Sequence, residues 1–201
     1  MDVLFASHNK NKALEIKAML ENTNINLITL SDLGDLSLVP ETGKTFTENA
    51  LIKAKYFWKK YKMPTLADDS GLIVEVLGDK PGVYSARYSG SDATDLKNNK
   101  KLLEEMRGTN NRIGRFICVI CYVTEGKYYT FEGKLEGSIA YDIKGDQGFG
   151  YDSVFVTKSG ERLSQMAPQY KNKISHRANA LEKWLRFVLK EKVNEPRNRK
   201  K

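Results

Sequence analysis

A helix with a marked beginning and a marked end, followed at once by an apolar strand, constrains the fold most. The residues Thr45-Phe46-Thr47-Glu48 form a capping-box pattern, in which Thr45 and Glu48 each bond to the other's backbone N–H group. The apolar stripe of this helix has helical spacing and consists of Phe46, Ala50, Ala54, Phe57 and Tyr61. Pro64 ends the helix, and residues 65–67 have the composition of a short strand. The chain therefore passes directly from helix to strand, as in proteins whose sheets are covered by helices.

Other segments continue this alternation early in the chain, whereas strands dominate its middle. We expect strands over residues 2–6, 25–30, 72–76, 115–123, 127–132 and 154–156, with one more after residue 137, and helices from about residue 14, over 92–106 and at the C-terminal end. The fold class is therefore predicted as α/β, with a mixed sheet flanked by helices. No linker or repeat divides the chain, so we expect residues 1–190 to form one domain. Residues 191–201 are expected to form a basic, flexible tail.

Composition and charge exclude several classes of protein. Of the 201 residues, 40% are hydrophobic and 29% are charged, which excludes disorder over most of the chain. No apolar run approaches the roughly 20 residues that cross a bilayer, and the N-terminus has no basic region typical of a signal peptide. We therefore expect a cytoplasmic protein with no membrane partner. The net charge of +8 keeps a nucleic-acid-binding module open as an alternative to an enzyme, and a steep loss of binding with salt would favour it.

The two cysteines form a C-x-x-C pattern inside a predicted strand. Positions three apart on a strand face opposite sides, so Cys118 and Cys121 are not expected to share a disulfide or a metal. His8 and His176 are the histidines of the chain, which excludes a zinc site of the finger type. Both thiols are expected to be buried and inert. Any metal chemistry must then come from oxygen ligands.

A polar loop lies between the first strand and the first helix. It consists of Ser7, His8, Asn9, Lys10, Asn11 and Lys12. A helix N-terminus offers free N–H groups to phosphate, and the lysines and asparagines add further donors. The loop lacks the glycines of a P-loop, so a plain polar turn with Ser7 or Asn9 as the N-cap residue is the alternative.

Two adjacent carboxylates follow the strand at residues 65–67. Asp68 and Asp69 begin the sequence Asp68-Asp69-Ser70-Gly71, and open α/β sheets place ligand sites at such strand ends. Adjacent carboxylates repel each other unless they share a cation or a proton, and oxygen ligands suit Mg²⁺. The same four residues are also favourable turn chemistry, so a solvated turn is the alternative. Glu41 could join the two aspartates at a metal, whereas Glu48 is assigned to the capping box.

Two further segments combine rings with polar groups. They are Phe149-Gly150-Tyr151-Asp152 and Ser175-His176-Arg177. An aromatic face with directed donors is what a purine pocket requires, although either segment alone is more often core packing and a helix cap.

Taken together, these segments resemble one family in their order and spacing. The chain resembles the inosine triphosphate pyrophosphatases, the Ham1-type pyrophosphatases of non-canonical purine nucleotides. The motifs are residues 7–12, 41–50, 67–72, 81–88, 148–152 and 174–177, which together extend from residue 7 to about residue 185. Ser7 stands where threonine is more usual, and the tail beyond about Lys190 has no counterpart.

The resemblance implies Mg²⁺-dependent hydrolysis of ITP, dITP and XTP to the monophosphate and pyrophosphate. It implies a homodimer whose mixed, twisted sheet forms two lobes around an active-site cleft, with no specific nucleic acid as partner. By this resemblance, Asp69 would be the catalytic residue, accepting a proton from water or positioning the water, and Mg²⁺ would be bound by Glu41 and Asp69, with Asp68 nearby. The triphosphate would be held by Ser7, His8, Asn9, Lys10, Asn11 and Lys12, and Ser70 would touch the substrate. The base would be bound by Phe149, Gly150, Tyr151, Asp152, Lys171, His176 and Arg177.

A Maf-like nucleotide pyrophosphatase, which selects modified pyrimidines or other bases, is the runner-up. The segments Phe149-Gly150-Tyr151-Asp152 and His176-Arg177 argue against it.

Overall fold

The computed structural model describes residues 1–194. Seven strands and five α-helices make up this part of the chain. The strands are β1 (Asp2–Phe5), β2 (Asn26–Thr29), β3 (Thr65–Val74), β4 (Lys80–Pro81), β5 (Ile113–Thr124), β6 (Lys127–Ile139) and β7 (Phe155–Thr157). The helices are α1 (Lys10–Leu20), α2 (Phe46–Tyr61), α3 (Asp95–Glu105), α4 (Pro168–Ile174) and α5 (His176–Asn194).

All seven strands belong to a single sheet. Its order is β2-β1-β3-β5-β6-β7, and the short strand β4 also pairs with β3. Strand β1 is parallel to β2 and β3, whereas the pairs β3–β5, β5–β6, β6–β7 and β3–β4 are antiparallel. The predicted mixed sheet flanked by helices is therefore confirmed.

The two faces of the sheet have separate hydrophobic cores. On one face, Trp184 and Leu181 of α5 and Ile16 of α1 pack on a cluster that includes Cys118. On the other face, α2 packs on a cluster that includes Cys121. The prediction that the two thiols face opposite sides is confirmed, because alternate residues of β5 point to opposite faces.

A third core forms a second lobe at the far end of the long strands. It joins Leu72 of β3 and Phe116 of β5 to Leu102 of α3, Tyr151 and Phe155. Because β3 and β5 contribute to all three cores, these strands connect the two lobes.

A gap along one edge of β3 creates the cleft between the lobes. Strand β1 pairs with β3 only at residues 65–66, and β4 pairs with it only at residues 73–74. The opposite edge of β3 is paired with β5 along its whole length, so β1 and β4 share the remaining edge. Residues 67–72 therefore lie at an edge between the two short strands, where side chains from both faces of β3 can reach a ligand.

Three segments differ from the sequence-based expectation. Residues 68–71 are the middle of β3 rather than a solvated turn, and all but Ser70 are buried. Strand β6 continues through residue 137, where a break between two strands was expected. The glycine at this position allows close approach of β7, because a Cβ on Gly137 would lie 2.2 Å from the carbonyl oxygen of Val156. The segment expected as a tail falls on α5 as far as Asn194 and otherwise lies outside the described residues. Over residues 1–194, no helix is long and apolar enough to cross a membrane.

Candidate active site

The polar loop after β1 forms one wall of the cleft. Ser7, His8, Asn9 and Lys12 line it. Asn9 is the N-cap residue of α1, since its side chain accepts a hydrogen bond from the backbone N–H of Lys12 at 3.1 Å. The loop therefore contains the N-cap that was expected at Ser7 or Asn9. The same geometry directs the N-terminus of α1 toward the cleft, where it favours an anion.

Two predicted phosphate ligands lie outside the cleft, and a third, His8, lines it but bonds to the backbone. Lys10 and Asn11 do not line the main cleft, because they lie on the first turn of α1 between the cleft-facing positions Asn9 and Lys12. The Nε2–H of His8 donates to the backbone carbonyl of Ser37 at 2.9 Å. His8 therefore joins the polar loop to the segment that carries Glu41.

A carboxylate pair occupies the wall formed by β3 and α2. Lys53 donates to Oε1 of Glu41 at 2.6 Å, and its Nζ lies 3.9 Å from Oδ1 of Asp69. Asn49 donates to Oδ2 of Asp69 at 3.0 Å, and the backbone N–H of Ser70 donates to Oδ1 at 3.1 Å. Both oxygens of Asp69 are therefore fixed in direction, and the lysine charge lies between the two carboxylates.

Burial and the neighbouring lysine shift the pKa values of this pair in opposite directions. Burial raises the pKa of Asp69 above its ordinary value and outweighs the opposing effect of Lys53. For Glu41 burial has the same sign, but the charge and hydrogen bond of Lys53 prevail and lower the pKa. The pKa of Lys53 itself is raised, because Asp68, Asp69 and Glu41 outweigh its desolvation. Lys53 therefore favours the charged form of Glu41, whereas burial disfavours the charged form of Asp69.

Asp68 points to the opposite face of β3, below the floor of the cleft. Lys12 Nζ lies 3.0 Å from its Oδ2, and the Nε and Nη2 atoms of Arg177 lie 3.3 and 3.2 Å from the same oxygen. Burial alone would raise the pKa of Asp68, but Lys12 and Arg177 hold it well below its usual range. The Cys118 thiol lies 3.8 Å from the same oxygen, and burial raises its pKa to about 12, as expected of an inert thiol.

Buried charges continue from Arg177 toward the predicted base-binding loop. Arg177 also binds Glu15 and Ser70, and Glu15 accepts a 2.8 Å salt bridge from Lys171. Lys171 in turn pairs with Asp152. The carboxylates and cations alternate, so each buried charge has an opposite neighbour, as buried charges require.

Aromatic rings close the same end of the cleft. The Phe149 ring centroid lies 4.8 Å from Lys171 Nζ and 5.7 Å from the Arg177 guanidinium. His176 stacks on Phe116 with ring centroids 4.7 Å apart. Burial, then the charges of Arg177 and Lys171, lower the pKa of His176 well below 6.5, so its ring is neutral at pH 7. Its Nδ1 atom has no hydrogen-bond partner among residues 1–194.

Sequence reasoning missed several polar residues of the site, among them Asn49, Lys53 and Glu15. Asn49 and Lys53 lie on α2 beside its apolar stripe, and Glu15 lies on α1 three residues after Lys12. The signal available was their helical spacing, because positions three or four apart on a helix share a face. The partners of these residues lie on other elements, which the spacing alone does not reveal.

A family model described as the Ham1 family matches residues 3–187. The chain belongs to the Ham1 family. The resemblance inferred from the sequence motifs is therefore confirmed, and the match includes every residue of the cleft described above.

Curated relatives and solved structures agree with this Ham1 assignment. The chain is similar to proteins named dITP/XTP pyrophosphatase: one from Bacillus licheniformis is 45% identical over 90% of this chain and 95% of the relative, and one from Clostridium tetani is 46% identical over 90% and 92%. It is also similar to the structure of the Staphylococcus aureus Ham1 protein, with a TM-score of 0.86, 35% identity, and coverage of 95% of this chain and 100% of that one.

Proposed function

We propose that this protein is a nucleoside triphosphate pyrophosphatase. It would hydrolyse non-canonical purine nucleotides, namely ITP, dITP and XTP, to the monophosphate and pyrophosphate with Mg²⁺. The names of the relatives support this class of substrate, and the cleft supplies groups suited to a phosphate chain, a divalent cation and a base.

The arrangement of Glu41, Lys53 and Asp69 carries the proposal. These side chains line the cleft together with Lys12 and the N-terminus of α1. A triphosphate needs cations and N–H groups on one side, whereas a divalent cation needs carboxylates on the other. Phosphoryl transfer depends mainly on positioning and charge neutralisation, which this combination provides without a covalent nucleophile.

The carboxylate pair fits Mg²⁺. The ammonium group of Lys53 already contacts Glu41 and lies near Asp69, so a positive charge is accommodated between them. Residues 1–194 contain no group of three or more metal-ligating His, Cys, Asp or Glu side chains. Mg²⁺ commonly binds one or two carboxylates together with substrate phosphates and water, which suits a two-carboxylate site. When bound there, the ion would neutralise charge on the phosphates.

Asp69 is the residue that we propose to orient the attacking water. Asn49 and the Ser70 N–H hold its two oxygens in fixed directions. Burial raises the pKa of Asp69, which makes it a stronger base than an ordinary aspartate. Positioning of the water and removal of its proton are both compatible with this carboxylate.

We propose that the opposite end of the cleft binds the base. Phe149 offers a ring for stacking, and the neutral His176 lines the same end of the cleft. A ring N–H of His176 that faced the base would match the 6-keto oxygen of inosine or xanthine, and an adenine 6-amino group would leave it unmatched, at a cost of about 1–3 kcal/mol. Arg177 already makes four hydrogen bonds to protein groups, so its contribution would be to hold this end of the cleft in place.

Release of pyrophosphate from a panel of nucleotides tests the proposal. We expect dITP and XTP to be hydrolysed well, dATP, dGTP and pyrimidine triphosphates poorly, and all activity to stop with EDTA. Asp69→Asn should reduce kcat by more than about tenfold, a loss of roughly 1.4 kcal/mol or more of transition-state stabilisation. Asp2→Asn, which alters an exposed carboxylate at the start of β1, is the control and should retain full activity.

Two results would contradict the proposal. Full activity of Asp69→Asn would show that this carboxylate has no part in the reaction. A preference for modified pyrimidines would favour the Maf-like alternative.

We also propose that residues 1–190 form a single domain that works as a homodimer in the cytoplasm, where the nucleotide pool is located. Light scattering of the purified protein tests the dimer: a mass of one chain would contradict it.

A further inference from the structure

The loop that carries Phe149 contains two glycines with positive φ angles. Gly148 has φ +80° and Gly150 has φ +64°, conformations that favour glycine. Within the loop, Asp152 accepts a hydrogen bond from the Phe149 N–H at 3.0 Å. Because glycine has unusually broad conformational freedom, Gly150 needs contacts from elsewhere to define its position.

Helix α3 supplies those contacts on both sides of Gly150. Oδ2 of Asp95 accepts from the Gly150 N–H at 2.7 Å, and Nδ2 of Asn99 donates to the Gly150 carbonyl at 2.9 Å and to Ser153 Oγ at 3.0 Å. Asp95 and Asn99 are four positions apart and therefore share one face of the helix. Asn99 is only 2% exposed, whereas Asp95 is exposed and lines the cleft.

The helix itself is firmly fixed to the second lobe. Asn98 accepts from the Ser89 N–H at 2.8 Å and donates to the carbonyls of Ser85 and Ala86. Leu102 packs into the hydrophobic core of that lobe. Because α3 is itself fixed, its hydrogen bonds hold Gly150 in a defined position relative to the second lobe.

We propose that Asp95 and Asn99 are positioning residues for base recognition. By holding Gly150 on both sides, they fix the neighbouring Phe149 ring over Lys171 and Arg177 at the base end of the cleft. The reacting phosphate end is held by other residues, so the two aspects of the reaction are separable. This inference rests on the proposed function.

Asp95→Ala is the informative variant, because Asp95 is exposed and its removal leaves the core intact. We expect KM for dITP to rise about tenfold, the loss expected for one charge-assisted hydrogen bond, with kcat within about twofold of the wild type. The preference for dITP over dGTP should fall, because a loosely held ring no longer sets the plane of the base. Asp95→Asn retains an acceptor oxygen and should recover most of the wild-type KM.

Asp92→Ala is the matched control. Asp92 is an exposed carboxylate three residues earlier, paired with Lys97, and its loss removes the same charge near the same helix. KM and base preference should remain those of the wild type.

Hydrogen exchange of the Gly150 amide gives a readout that does not depend on activity. NMR of the ligand-free protein should show this amide exchanging about tenfold faster in Asp95→Ala than in the wild type or in Asp92→Ala. Unchanged exchange together with unchanged KM would overturn the inference, as would a fall in kcat and thermal stability with no change in KM. If the wild type hydrolyses none of the purine nucleotides, the proposed function fails, and the exchange measurement still decides whether Asp95 holds the loop.

Discussion

Asp68→Asn should destabilise the folded protein strongly, although Asp68 does not line the cleft. The carboxylate is fully buried and receives Lys12 and Arg177 on a single oxygen. Asparagine has nearly the same shape but no charge, so the substitution leaves two cations with less compensation and little change in packing.

The loss of stability in Asp68→Asn depends on which partners Lys12 and Arg177 keep. Removing one partner of a buried ion pair costs about 3–5 kcal/mol. Arg177 keeps its contact with Glu15, and the side chain of Lys12 is 14% exposed and can reach water, so the lower end applies. We expect a loss of about 3 kcal/mol in the free energy of unfolding, and a fall in Tm of roughly 6–12 °C for a chain of this size.

Urea unfolding of both proteins at several pH values provides the assay. The pKa of Asp68 is lowered in the folded state, so its stabilising contribution is complete above the ordinary value of 3.8 and is lost as pH falls below it. The difference between the wild type and Asp68→Asn should therefore be constant near neutral pH and shrink below about pH 4. Glu182→Gln, in an exposed pair with Arg186, should cost at most about 0.5 kcal/mol. A loss at neutral pH no larger than that of this control would refute the reasoning.

Two further predictions concern the same strand and its surroundings. Glu41→Gln should raise the Mg²⁺ concentration for half-maximal activity about tenfold or more, because one of two charged ligands is lost; a Mg²⁺ titration that matches the wild type would show that Glu41 is only a loop residue. Gly71→Ala should lower the free energy of unfolding by about 2 kcal/mol, because the added Cβ would lie 2.4 Å from Ser85 Oγ and 2.5 Å from the Gly82 carbonyl oxygen. An unaltered Tm in this variant would mean that the turn after β4 moves aside without cost.

Features determined by near neighbours in the chain could be predicted from the sequence. The capping box is present, with Thr45 accepting from the Glu48 N–H and Glu48 accepting from the Thr45 N–H. The opposite orientations of Cys118 and Cys121 follow from strand periodicity alone. Such features require only the local backbone geometry, which the residue pattern specifies.

Features that depend on contacts between distant elements could not be predicted in this way. In the sequence Lys53 resembles an exposed helical lysine, because its approach to Asp69 arises only where α2 packs against β3. His8 belongs to a loop rich in phosphate-binding residue types, but its ring bonds to the Ser37 carbonyl, which is brought near only by the folded chain. The continuous strand through residues 68–71 required β5 to pair with it, because the local sequence is equally suited to a turn.

The placement of Asp68 and Asp69 on opposite faces of β3 has a consequence for misfolding. If β3 slid by one residue along β5, every side chain would change face, yet the position of each aspartate would still receive the other aspartate in one of the two directions of slip. The two aspartates therefore do little to prevent an incorrect register between β3 and β5. Gly71 disfavours an incorrect register more strongly, because a slip would bring Ser70 or Leu72 to its position, with a Cβ 2.5 Å from the Gly82 carbonyl oxygen. The alignment of the strand that carries the acidic residues is thus protected by the residue with no side chain.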